Sequence, residues 1–217
     1  MNTKHAPVFF LFFVILLLPH VAVAQKADVA LSFGASSVSD THLNFDCPLG
    51  VLCINIPPES VKTGHALFWE GTFNSRMIDA KLASIHLEIP IAGTAHQQAT
   101  FTQSPNAFIA HFSSLYITPS IKTKFFPAAP ISPWISLGGG LAHFSFPDDR
   151  SNKFALQFGT GADIKTPLPH LGFRVELRDF LSGQPSFATP GIGLAGSPES
   201  GLSRHNVFAG GGVVFHF

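Results

Sequence analysis

From residue 27 onward, apolar and polar positions alternate with a period of two, interrupted by clusters of Gly, Pro, Ser and Asn. A strand turns successive side chains to opposite faces, so this alternation predicts strands with one apolar face each. Eight runs show it. Ala27, Val29, Leu31 and Phe33 oppose Asp28, Ala30, Ser32 and Gly34, and Leu67, Trp69, Gly71 and Phe73 oppose Phe68, Glu70 and Thr72. Ala83, Ile85, Leu87 and Ile89 oppose Ser84, His86 and Glu88. Leu115, Ile117, Pro119, Ile121 and Phe125 oppose Tyr116, Thr118, Ser120, Lys122 and Lys124, with Pro119 a weak point because it has no N–H for a ladder. The second half repeats the scheme. Ile135, Leu137 and Leu141 face away from Ser136, Gly138, Gly140 and Ala142, and Phe154, Leu156, Phe158, Ala162 and Ile164 from Ala155, Gln157, Gly159, Gly161 and Asp163. Phe173, Val175 and Leu177 oppose Arg174, Glu176 and Arg178; Val207, Ala209, Val213, Phe215 and Phe217 oppose Phe208, Gly210, Gly212, Val214 and His216.

Strands of about ten residues are what a tilted chain needs to cross a bilayer. The expected connections also alternate in length. Asn74 to Asp79, Phe126 to Ser132 and Thr166 to Leu171 read as short turns. Ser36 to Thr63, Pro90 to Asn106 and Leu181 to Arg204 read as long loops, with Phe146 to Ser151 of middling length. In an up-and-down meander every longer connection then falls at one end and every short turn at the other, as in transmembrane barrels. The pattern predicts an all-β fold, an eight-stranded antiparallel up-and-down transmembrane β-barrel.

Periodicity alone does not say which face points inward. A soluble, lipocalin-like barrel would enclose its apolar faces around a ligand, whereas a membrane barrel turns them to lipid. Composition favours the second. Charged residues make up 12% of the chain, against roughly 25% for a soluble domain. The polar faces hold Asp28, Glu70, Glu88, Asp163 and Glu176 against Lys122, Lys124, Arg174 and Arg178, a set close to balance and too sparse for an aqueous surface. Buried charges persist when paired. These nine residues, with His86, are therefore expected to form an interior polar network. The formal net charge of zero argues against a nucleic-acid partner.

The N-terminus carries a targeting pattern: Lys4, an apolar stretch from Val8 to Leu18, and Ala22-Val23-Ala24 as a cleavage site. Residues 1–24 are expected to be a cleavable signal peptide and 25–217 the barrel domain, starting at Gln25. Cys47 and Cys53 suit an oxidising compartment. They are expected to pair as a loop disulfide worth about 2 to 3 kcal/mol before strain. No ligand pair stands at zinc spacing with them, and no metal or cofactor is expected.

The terminal run from His205 to Phe217 ends on Phe with alternate apolar residues behind it. It resembles the C-terminal signature by which outer-membrane proteins are recognised for assembly, with Val213, Phe215 and Phe217 as the signal residues. The chain as a whole looks like the small eight-stranded OmpA/OmpX/OmpW-like barrels, and Gly172 to Phe180 is similar to a late strand of that superfamily. The resemblance implies a monomer in the bacterial outer membrane, surrounded by lipid and lipopolysaccharide and inserted by the barrel-assembly machinery. It implies a structural, adhesive or weakly porin-like role. The loops name no ligand.

An enzymatic alternative is a lipid A-modifying hydrolase. His111-Phe112-Ser113 resembles the His-x-Ser arrangement of lipid A deacylases, in which the His activates the Ser on the lipid-facing wall. The Asn that follows in that family is Ser114 here, and no acidic residue occurs between Ser113 and Pro147. Ser84, His86 and Glu88 share one face, but a spacing of about 7 Å between alternate strand residues is expected to keep them from hydrogen bonding as a triad. The expectation is a non-enzyme.

Overall fold

The computed structural model describes residues 27–39, 41–43, 59–103, 106–146, 150–183 and 202–217. The expected leader at 1–24, Gln25 and the expected Cys47–Cys53 pairing lie outside them. The strands are β1 (Ala27–Val38), β2 (Thr41–Leu43), β3 (Glu59–Thr63), β4 (Ala66–Asp79), β5 (Ala83–Gln103), β6 (Asn106–Ile117), β7 (Ser120–Phe125), β8 (Ile131–Ser145), β9 (Arg150–Lys165), β10 (Leu171–Gly183) and β11 (Leu202–His216). They make eight staves of a closed wall, all neighbours antiparallel. β6 and β7 are two halves of one stave, each lying between β5 and β8. The break falls at Thr118 and Pro119, where proline withdraws a ladder donor. β1 closes the wall by pairing with β4 on one side and β11 on the other.

Two expected connections are strand instead. The stretch from Pro90 to Asn106 is not a loop: β5 continues to Gln103 and pairs with β6 from Asn106. Residues 92–103 are mostly small, hydroxyl and amide side chains without a charge, so the contrast between faces that marks a strand is missing there. β3, with β2 at its edge, lies along this outer part of β5. The segment from Asn74 to Asp79 also stays in β4, across an irregularity between Arg76 and Ile78. The chain turns at Ala80 to Leu82.

The three short connections and both ends of the described barrel lie together. The Phe126 N–H donates to the Leu82 carbonyl, the His216 N–H to the His170 carbonyl, and the Phe217 N–H to the Ala27 carbonyl. We call this the turn end and the opposite one the loop end.

The alternation sorts as an inverted protein. Leu31, Phe33, Leu67, Ile121, Leu137, Leu141, Phe158, Phe173 and Leu177 stand on the outside, with Leu67 82% exposed. Asp28, Glu70, Glu88, Lys122, Arg174 and Arg178 are buried. The lipocalin-like arrangement is therefore the wrong way round for this chain. An apolar belt encircling every stave is far larger than the patches soluble monomers show, and its matching solvent is hydrocarbon. Glycines set how tightly the wall coils. A Cβ on Gly212 would strike the Leu31 carbonyl of β1, and one on Gly140 the Ile117 carbonyl of β6.

Candidate functional site in the lumen

At the turn end a cavity of about 620 Å³ opens between Asp28, Arg76, Asp79, Lys124, Asp163 and His216. Its inner wall is a charged lattice. His216 Nδ1 is 2.6 Å from Asp28 Oδ1. Lys124 Nζ lies 2.7 Å from Asp163 Oδ2 and 3.7 Å from Asp28 Oδ2. Arg174 grips Asp163 with two prongs, Nε to Oδ1 at 2.7 Å and Nη2 to Oδ2 at 3.1 Å. The Trp134 indole N–H donates to the same carboxylate at 3.2 Å.

Deeper in, Arg178 is the hub. Its Nη1 and Nη2 each reach a Glu88 oxygen at 3.0 Å, its Nε lies 2.9 Å from Glu70 Oε1, and its Nη2 lies 3.2 Å from Glu176 Oε2. Glu88 also accepts from Ser120 Oγ at 3.0 Å and sits 3.3 Å from Lys122 Nζ. Lys122 Nζ in turn lies 3.9 Å over the Trp134 ring, a cation–π contact. Bidentate Arg–carboxylate geometry is the strongest form of such pairing, and it offsets the desolvation cost of charges that are at most 6% exposed.

The structure thus brings Asp28, Glu70, Glu88, Lys122, Lys124, Asp163, Arg174, Glu176 and Arg178 into one lumenal lattice that ties β1, β4, β5, β7, β9 and β10 together. His86 is buried among them, and Ser84 Oγ is 2.8 Å from its Nε2. This corrects the expectation that alternate residues of one strand stand too far apart to bond. Side chains that lean along the strand close the gap, as in the Thr72 to Glu70 bond at 2.8 Å. Ser84 is 0% exposed and His86 2%, so the pair meets no solvent. His111 and Ser113 both face outward on β6, and no hydrogen bond joins them.

Sequence reasoning missed a second layer. Toward the loop end the lumen fills with Phe68, Phe112, Tyr116, Phe144, Phe180 and Phe208, all at most 3% exposed. Phe68 stacks on Phe208 at 4.8 Å, Phe180 lies 5.0 Å from Phe208, and Tyr116 lies 4.7 Å from Phe180. These rings occupy the same faces as the charges, and a period-two reading alone does not separate them. Arg204 and Asn206 were missed as well: Arg204 falls in the expected Leu181 to Arg204 loop, and Asn206 carries no charge to mark the inward face. They continue the inward register of Phe208, Gly210 and Gly212 on β11.

A closed eight-stave wall with an apolar exterior and a packed polar lumen has counterparts among solved structures. The outer membrane protein OprG from Pseudomonas aeruginosa superposes with a TM-score of 0.57 over 89% of this chain and 96% of its own, at 13% identity. The fold is that of the small outer-membrane β-barrels. Neisserial surface protein A gives a TM-score of 0.51 over 89% of this chain and 97% of its own, again at 13% identity. No family model and no curated protein matches the sequence.

Proposed function

We propose that this chain is an outer-membrane barrel of the OmpA/OmpX/OmpW-like group that acts as a closed, non-enzymatic wall element and displays an extended β5–β6 hairpin and loops for adhesion. The turn end then faces the periplasm and the loop end the exterior, following the length asymmetry of such barrels. The apolar belt contacts lipid and lipopolysaccharide, and the barrel works as a monomer. Val213, Phe215 and Phe217 line the outward face of the last stave, where the assembly machinery would read them; Phe217 is 75% exposed.

One observation carries the closed reading: two plugs fill the lumen in series. The Arg178–Glu70–Glu88–Glu176 lattice with Trp134 blocks the middle, and six aromatic rings block the section above it. A porin-like path would have to break bidentate ion pairs and also part stacked rings. Reconstituted in planar bilayers, the protein is expected to give no stepwise current at any voltage. Regular conductance steps from the wild type would refute the closed lumen.

A further inference from the structure

The lumenal cations of the lattice each have an acid: Lys122 has Glu88, Lys124 and Arg174 have Asp163, and Arg178 has three glutamates. Arg204 differs. It is 6% exposed, near the loop end of β11, and among the described residues no carboxylate pairs with it. Its Nε donates to the neutral Asn206 Oδ1 at 3.3 Å, and its Nη2 has no partner. Its guanidinium carbon lies 5.3 Å from the Phe112 ring centroid and 5.4 Å from that of Phe144. Ring faces soften an isolated cation but do not replace a counter-ion.

Two more donors stand beside it. Ser182 is directly opposite Arg204 in the β10–β11 ladder, and its Oγ neighbours the Tyr116 hydroxyl. The Tyr116 hydroxyl lies within electrostatic reach of Arg204, with the Ser114 and Ser182 hydroxyls as its neighbours. A buried guanidinium whose Nη2 has no acceptor, beside the Tyr116 and Ser182 hydroxyls, offers the donors that a small anion takes. One cation unpaired among the described residues suits one negative charge, and the surrounding Phe112, Phe144 and Phe146 rings suit an apolar body.

We propose that Arg204, Tyr116 and Ser182 form a binding site for a small apolar monocarboxylate. The carboxylate sits on the Arg204 Nη2 and the two hydroxyls, and the apolar part rests against the phenylalanine rings. An inorganic anion would satisfy the donors but gain nothing from the rings, and a neutral aromatic would do the reverse. The site makes no demand on the turn-end lattice, so it stands whether or not the barrel conducts.

The full barrel folded in non-ionic detergent micelles is titrated calorimetrically with benzoate, with benzyl alcohol and sulfate as comparison probes. Benzoate is expected to bind at one per barrel, and both other probes at least roughly tenfold more weakly, a gap of one decade in affinity. Arg204→Met is expected to lose benzoate binding by the same factor or more while keeping the fast, unboiled gel band of a folded barrel. Tyr116→Phe, which keeps the ring, is expected to weaken benzoate several-fold and serves as the readout if Arg204→Met does not fold. No benzoate binding to the wild type, or undiminished binding to a folded Arg204→Met or Tyr116→Phe barrel, overturns the site. Sulfate binding as tightly as benzoate overturns its apolar specificity.

Discussion

Arg178 holds more of the lumen than any other side chain, because three glutamates from β4, β5 and β10 converge on it. Removing it leaves three carboxylates facing one another with little water to shield them. Arg178→Met is expected to cost about 3 to 5 kcal/mol, measured by urea unfolding from lipid vesicles. A loss under about 1 kcal/mol would mean the lattice is as loosely coupled as a surface ion pair. Arg178→Lys should recover part of the loss, since a point charge keeps the attraction but not the bidentate fork. The lattice residues were legible because each is a charge on the polar side of an alternating run. Arg204 was not, although its even number matches Phe208 and Gly212, because the alternation was followed only from His205 on. Tyr116, Phe68 and Phe208 occupied inward positions in the sequence, yet nothing in a period of two says that inward aromatics gather into a layer.

Staves are defined by neighbours as much as by their own residues. The seam between β1 and β11 depends on Gly212, whose missing side chain lets the Leu31 carbonyl approach. Gly71 differs: a Cβ there would meet only Leu31 Cδ2 at 3.8 Å, an ordinary contact. Gly212→Val is therefore expected to prevent closure, giving a single unfolded gel mobility with or without boiling. Gly71→Ala is expected to fold as the wild type does. If both fold equally well, the seam is looser than described. The staves against lipid were readable because hydrocarbon enforces alternation. The outer half of β5 was not, since residues 92–103 are mostly small, hydroxyl and amide side chains that show no contrast between faces.

For the whole molecule, eight staves and up-and-down order follow from the residues alone, because a closed sheet in lipid leaves the backbone no other partners; the expected alternation in connection length does not, since β5 and β6 run on to within two residues of each other. The account rests on inversion: apolar faces outward, charges within. The chain's two tryptophans test it directly, as Trp69 is 42% exposed on the outside and Trp134 is 1% exposed in the lumen. Trp134→Phe and Trp69→Phe barrels, each with one tryptophan left, are to be folded into vesicles whose acyl chains carry bromine. Bromine is expected to quench the Trp69 emission strongly and the Trp134 emission several-fold less. Strong quenching of Trp134 with Trp69 spared would contradict the inversion and the fold built upon it.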